Sequence, residues 1–295
     1  TTILEIGAGT GRLACELLLE LEVLQSLPQR YCILEPSADL QVMQHQFIEQ
    51  HAPHLLQRVT WLHELPHKQI CGVIIGNEVL DVLPVDLFEI RLGGLYERGV
   101  AWHEGRFQWQ QQAADAALEN AVLKIGLSLG DAYQSEVSQL LPAWITSVGD
   151  SLQSGLLLLI DYGYARREYY HPQRNMGTLM CHYRHRAHQE PFVYPGLQDI
   201  TAHVDFTAVA EAAVATNLHV AGYNTQGQFL LSCGIDVIAN DLQQVGNTAS
   251  LALSQQIKQL TLPSEMGEIF KVIGLTRNFD ENLLGFSLFD MRGKL

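Results

Sequence analysis

The residues whose spacing suggests chemistry begin almost at once. Glu5-Ile6-Gly7-Ala8-Gly9-Thr10-Gly11 joins a short apolar run, Thr2–Ile6, to an amphipathic stretch that opens at Arg12. Glycines at a strand-to-helix turn permit left-handed backbone and let N–H groups approach a ligand at the helix N-terminus. A dinucleotide-binding G-x-G-x-x-G would need its third glycine at position 12, which is arginine. The third glycine is instead Gly11, and an acid, Glu5, precedes the loop. A second apolar run, Arg30–Leu34, ends at Glu35-Pro36. A carboxylate there suits both hydroxyls of a ribose lying across the switch point of a parallel sheet.

Three more groups follow. Cys71–Ile75 reads as a strand and leads into Gly76-Asn77-Glu78-Val79-Leu80-Asp81. Acids and an amide at the carboxyl end of a strand lie where doubly wound folds place their chemistry. Asn77 would offer its amide, and Glu78 and Asp81 their carboxylates; the alternative for Asp81 is a helix cap. Asp161 follows the apolar strand Gly155–Ile160. His203 stands two residues before Asp205, so an extended segment would point both to one side. One would then take a proton while the other orients it. The alternative is that Asp205 caps the next helix and His203 is a packed loop residue.

Positioning these groups takes an α/β scaffold. Short β-rich runs alternate with helical periodicity, which predicts a mainly parallel sheet. Expected helices run from Gly11 to about Leu27, from Ser37 towards Gln50, over Ser135–Leu152, Asp205–Asn217 and Leu251–Leu260. Further strands are expected at Val59–Leu62, Leu218–Tyr223, Phe270–Leu275 and Gly285–Phe289. Asp86–Arg91, Leu95–Trp102 and Arg106–Gln110, separated by Gly93-Gly94 and Glu104-Gly105, predict an antiparallel meander. The stretch after Asp161, dense in Arg and His, reads as loop. The organisation expected is one catalytic domain, with a core of 1–83 and 151–295 and an inserted β/helical segment, 84–150.

Composition narrows the class. The chain has 295 residues, 47% hydrophobic and 17% charged, which excludes disorder. Its 32 acids against 18 bases give a formal charge of −14, which would repel a phosphate backbone, so no nucleic-acid partner is expected. No apolar run approaches the ~20 residues of a membrane span. Cys15, Cys32, Cys71, Cys181 and Cys233 are scattered and read as buried free thiols of a reducing compartment. His182, His185 and His188 lack a completing cysteine or carboxylate, so no metal site is expected. Arg166, Arg167, Arg174, Arg184 and Arg186 against Glu168 form a basic stretch in an acidic chain. A solvated loop is the first reading of it, and a seat for an acidic surface the second.

The Glu5–Gly11 pattern resembles motif I of class I S-adenosylmethionine (SAM) methyltransferases. Together with Leu34-Glu35-Pro36-Ser37, Asn77–Pro84, Leu159–Tyr164, Pro195–Phe206 and Thr225–Leu230, it resembles the MidA-like family, which includes a mitochondrial complex I assembly factor that methylates an arginine. That resemblance implies a Rossmann-like core with SAM as cofactor, held by Glu5, Gly7, Ala8, Gly9, Gly11, Glu35 and Asn77. It also implies methyl transfer to an arginine of a protein, a complex I subunit in mitochondria. Glu78, Asp81, Asp161 and Asp205 would pair the guanidinium, with His203 beside them. Methylation of a small molecule, and a SAM-binding assembly chaperone without essential catalysis, are the alternatives. The compartment implied is the cytoplasm of a bacterium or the mitochondrial matrix of a eukaryote. Because Thr1 already opens a core strand, a preceding segment that covers the SAM cleft is expected.

Overall fold

The computed structural model describes residues 1–67, 69–184, 186–244 and 249–295. It forms two compact units. The first comprises Thr1–Val79, Trp144–Asp161 and Ala210–Lys294, and the second Leu80–Ala143 and Tyr162–Val209. The second therefore takes up residues 162–209 along with most of the stretch expected as an insertion.

The chain opens with β1 (Thr2–Ile6), α1 (Arg12–Val23), β2 (Arg30–Leu34), α2 (Ala38–His51), β3 (Val59–Leu62) and β4 (Ile70–Asn77). The second unit then builds β5 (Asp86–Arg91), β6 (Gly94–His103), β7 (Arg106–Ala113), α3 (Ala116–Ile125) and β8 (Tyr133–Val137). After α4 (Leu141–Ser151), the long β9 (Leu152–Tyr164) crosses the first unit and gives its last three residues to the second. There follow α5 (Arg166–Tyr169), β10 (Met180–Tyr183), β11 (Arg186–His188), β12 (Asp199–Thr201), β13 (Val204–Asp205) and α6 (Phe206–Ala215). The tail holds β14 (His219–Thr225), α7 (Gln226–Ser232), α8 (Ile235–Gln244), α9 (Ala249–Thr261), α10 (Met266–Ile269) and β15 (Phe270–Arg277).

In the first unit the strands are ordered β14-β15-β9-β4-β1-β2-β3. From β9 to β3 every pairing is parallel, and β14 and β15 are antiparallel to one another. This is the expected α/β, Rossmann-like class. Leu4, Ile33, Ile74, Leu157 and Leu159 fill the sheet interior, and Leu18 and Ile48 bring α1 and α2 onto it. Ile6 pairs with Leu34 on one side and Gly76 on the other, and Asn77 pairs with Ile160. Gly7 and Glu35, the first residues past β1 and β2, therefore stand level with Asn77, the last residue of β4, and Asp161 follows one position further along β9.

The second unit has an antiparallel sheet β7-β6-β5-β8 and a small sheet β11-β10-β12. Phe88, Leu118, Ile125, Tyr133, Tyr169 and Tyr170 make its core cluster. Two of its features replace expectations. Tyr133–Val137 is a strand antiparallel to β5 rather than the start of a helix, and it buries Tyr133, Ser135 and Glu136. The expected loop after Asp161 contains the hairpin β10–β11, with β12 on its other side.

Three further corrections lie in the first unit. The first helix stops at Val23 because Gln25 turns left-handed, φ +52°, and Ser26 N–H bonds back to Leu21 O. Cys71 is exposed rather than buried, with its thiol against Gln153 Oε1 at 3.4 Å. Leu284–Phe286 is a single 3-10 turn, not a strand. Its Phe286 ring lies where side chains on Gly222 or Gly274 would stand, since a Cβ at either would come within 3 Å of it. Phe286 is almost fully buried. Phe286→Ala should therefore cost about 3 kcal/mol or more, the usual loss for a buried phenylalanine, read as a lower midpoint in urea unfolding. An unchanged midpoint would show that the tail does not brace the sheet.

Candidate functional site

Gly7, Gly9 and Gly11 all adopt left-handed backbone, with φ of +68°, +52° and +81°. Gly7 N–H donates to Leu34 O at 3.2 Å, and Gly11 N–H to Ala8 O at 2.8 Å, so the loop is tied to β2 and closed on itself. A Cβ on Gly11 would stand 3.1 Å from the Cα of Gln44, which makes glycine the residue that lets α1 approach α2. At Gly9 a Cβ would meet nothing within 4 Å. The loop thus faces open space at its middle glycine, and α1 begins without a side-chain cap. This is the cradle an anionic or hydroxyl-bearing ligand needs at a helix N-terminus.

Glu35 is buried beside the loop. Its Oε1 accepts from Ser37 N–H at 3.0 Å and its Oε2 from the Gln44 side-chain amide at 3.1 Å. The same Gln44 nitrogen donates to Gly9 O at 3.0 Å, and Gln44 Oε1 accepts from Trp61 Nε1 at 2.9 Å. A carboxylate has about four lone-pair directions, so Glu35 keeps acceptor capacity for ligand hydroxyls. Gln44 is fully buried and was missed by the sequence analysis. The available signal was a polar residue four positions before Ile48 on the inward face of α2.

At the end of β4, Glu78 has φ +53° although it is not glycine. Such backbone costs about 1–3 kcal/mol and persists where its surroundings enforce it. Here Glu78 N–H donates to Ile160 O at 2.9 Å, and Val79 N–H to Asp161 Oδ2 at 3.1 Å. Val79 packs where a Cβ on Gly7 or Gly76 would stand. Asn77 reaches Glu78 Oε1 at 3.4 Å. Asp161 is completely buried, within β9 rather than in a loop, and it fixes this turn. Glu5 is buried too: its carboxylate accepts from Tyr31 Oη at 2.7 Å, and burial raises its pKa.

In the second unit Asp81 is buried and accepts a hydrogen bond from Tyr162 Oη. Burial raises the Asp81 pKa, while the Tyr162 bond, backbone amides and His182 pull it the other way. Asp81 O also accepts from Ala202 N–H at 3.0 Å, next to His203. The His203 ring lies 5.3 Å from both the Tyr162 and the Tyr164 ring, and the His203 backbone N–H donates to Thr178 Oγ1 at 2.9 Å. Asp205 ion-pairs with Arg166 Nε at 3.0 Å, and its Oδ1 caps α6 through Thr207 and Ala208 N–H. Burial raises its pKa against the pull of Arg166.

A second residue that sequence reasoning missed supports this unit. Glu136, fully buried, accepts from Tyr169 Oη at 2.7 Å, from Thr178 N–H at 2.9 Å and from the Thr178 hydroxyl. Among the described residues no group of three or more His, Cys, Asp or Glu is placed to hold a metal; His185 lies outside them. No helix of the described residues is long and apolar enough to cross a membrane.

A glycine cradle, a buried acid at the end of the second strand and in-register parallel strands define the class I SAM methyltransferase fold. The family model for a putative S-adenosyl-L-methionine-dependent methyltransferase matches residues 1–224, and the chain belongs to that family. S-adenosyl-L-methionine is accordingly its cofactor. Two crystal structures of Burkholderia thailandensis proteins, one native and one bound to S-adenosyl-homocysteine, are each 41% identical to it. They match 100% of this chain with a TM-score of 0.95, over 78% and 76% of their own chains. The mitochondrial protein arginine methyltransferase NDUFAF7 homolog of Drosophila melanogaster is 25% identical over 230 residues, which is 69% of this chain. The chain spans about half the length of that relative, 47%.

Gln44→Leu should weaken SAM binding at least tenfold in isothermal titration, because Gly9 O, Glu35 and Trp61 all lose their common partner. It should also cost about 1–3 kcal/mol of stability for the buried groups left unsatisfied. Wild-type affinity in a folded Gln44→Leu protein would remove Gln44 from the cofactor site.

Proposed function

We propose that the chain transfers a methyl group from SAM to an arginine side chain of a protein, a respiratory complex I subunit being the target class. The observation that carries this reading is Asp81, a buried acid held by Tyr162. Asp81 follows Glu78 by only three residues in the chain. An acid kept out of water suits a cationic acceptor better than a neutral hydroxyl. The arginine specificity draws further support from the Drosophila relative, which is named as mitochondrial; the compartment proposed for this chain is the mitochondrial matrix in a eukaryote or the cytoplasm in a bacterium.

SAM, when bound, supplies an electrophilic methyl group on a sulfonium. The chain's own work is binding and orientation. The Gly7–Gly11 backbone and Glu35 would hold the cofactor, with Ala8 and Asn77 lining it and Glu5 supporting β1 from beneath. A guanidinium keeps its proton at any physiological pH, so a carboxylate must draw its charge away from the attacking nitrogen. Asp81 takes that role. The nitrogen loses a proton on methylation, and His203, against Tyr162 and Tyr164, is the group assigned to receive it. Asp161 and Asp205 serve as positioning residues, one fixing the Glu78 turn and the other the start of α6.

Labelled SAM incubated with the protein and a cell extract should yield methylarginine after acid hydrolysis of the protein fraction. Label confined to metabolites would overturn the protein substrate. The pH dependence follows from the direction of the Asp81 shift. Its carboxyl pKa is raised, so the ion-pairing form is lost at a higher pH than for an ordinary aspartate, and kcat should fall as the solution is acidified through that value. Asp81→Asn should lower kcat about 100-fold or more and abolish that acid limb. A retained acid limb in Asp81→Asn would assign the titration elsewhere.

A further inference from the structure

The second unit contains a cavity of about 590 Å³ that none of the groups above explains. Asp81 lies in its lining, and Phe107 and Trp109 of β7 face it together with Phe192 from the segment after β11. The three rings form one wall: Phe192 is 4.9 Å from Trp109 and 6.3 Å from Phe107, centre to centre. At the mouth, Val82, Val100 and Ile200 are exposed apolar side chains that also line the space. Such contiguous exposed apolar surface marks a binding site more often than a bare surface.

The charge of the lining indicates the occupant. Asp81, Asp86 and Glu97 face one cation, Arg98. That cation is already committed: its guanidinium stacks on Trp109 at 4.8 Å and its Nη1 donates to Gln134 Oε1 at 2.6 Å. The lining is therefore left net negative. The Arg98–Trp109 pair also shows that this aromatic wall accepts a guanidinium on a ring face, the geometry of a cation–π contact.

We propose that this cavity seats the acceptor segment of the protein substrate: an arginine whose guanidinium reaches Asp81 and whose apolar neighbours lie against Phe107 and Phe192. This rests on the arginine-methyltransferase reading and adds the recognition surface to it. The wall residues act on binding of the protein substrate, not on the cofactor.

The test uses the full chain with tritiated SAM and the protein fraction of a cell extract at varied concentration. Phe107→Ala and Phe192→Ala, each on a partly exposed side chain, should raise the apparent KM for extract protein about tenfold. Methylarginine formed at saturation should stay within about twofold of wild type, and SAM affinity by titration should not change. A KM left at the wild-type value in both variants, with wild-type protein still forming methylarginine, would overturn the proposal alone. A loss of SAM affinity would overturn it as well, since the wall would then serve the cofactor or the fold. Label found only in metabolites with wild-type protein would overturn the underlying reading and this proposal together. As a second readout, p-benzoylphenylalanine at position 107 should, under irradiation with S-adenosyl-homocysteine, cross-link proteins that carry methylarginine in the first assay. Cross-links confined to proteins without that label would count against the proposal.

Discussion

The parallel register of β1 with β2 and β4 is the constraint on which the first unit depends. Because Ile6 faces both Leu34 and Gly76, Gly7 and Glu35 leave the sheet level with Asn77, the last residue of β4. A one-residue slip would reverse the face of every side chain along a strand and bury the wrong set. Continuous burial of Leu4, Ile33 and Ile74 forbids that slip. The positions of Gly7, Glu35 and Asn77 thus follow from core packing and need no separate device. β9 extends the same logic, since Asn77 faces Ile160 and so Asp161 sits beside the strained turn at Glu78.

What packing does not fix is the shape of the loop between strand and helix, and there buried polar groups take over. Gln44 uses both donors and its carbonyl oxygen on three different segments, Gly9, Glu35 and Trp61. Each bond contributes only about 1 kcal/mol net, yet leaving a buried partner unsatisfied costs more than that. The arrangement therefore favours a single loop geometry more strongly than the gross energy of its bonds suggests. Asp161 does the same for the turn after β4, offering its carboxylate to the Val79 amide from a site with no access to water.

Much of the fold and site was legible because the signals are local. The Gly7–Gly11 loop, Glu35 at a strand end, the meander and the strand ending near Asn77 are all written in adjacent residues, whereas β9 runs past the expected end at Ile160 to Tyr164. Legibility fails where a residue's state depends on a distant partner. Tyr133–Val137 carries glutamine, serine and glutamate, and only β5 beside it makes it a strand. Gly285–Phe289 looks like an alternating strand, but the Phe286 ring is claimed by Gly222 and Gly274 from β14 and β15. Gln44 looks like any surface residue of an amphipathic helix until the glycine loop is folded against it. Asp205 is the mixed case: the cap on α6 is local, while Arg166 comes from a different part of the chain.

Glu136 shows how far this dependence reaches in the second unit. A carboxylate with no access to water has its pKa raised by burial, and three donors oppose that shift by favouring the charged form. A glycine leaves room for it: a Cβ on Gly177 would lie 2.2 Å from Glu136 Oε2, and Gly177 takes φ +74° immediately before Thr178. Thr178 then passes the constraint on, because its hydroxyl oxygen accepts the His203 N–H. The position of the His203 backbone is thereby set by an acid 67 positions earlier in the chain, through a threonine that both residues bond. A glycine–threonine pair in a loop carries no sequence signal of this kind. The requirement becomes visible only when the buried charge that it serves is found.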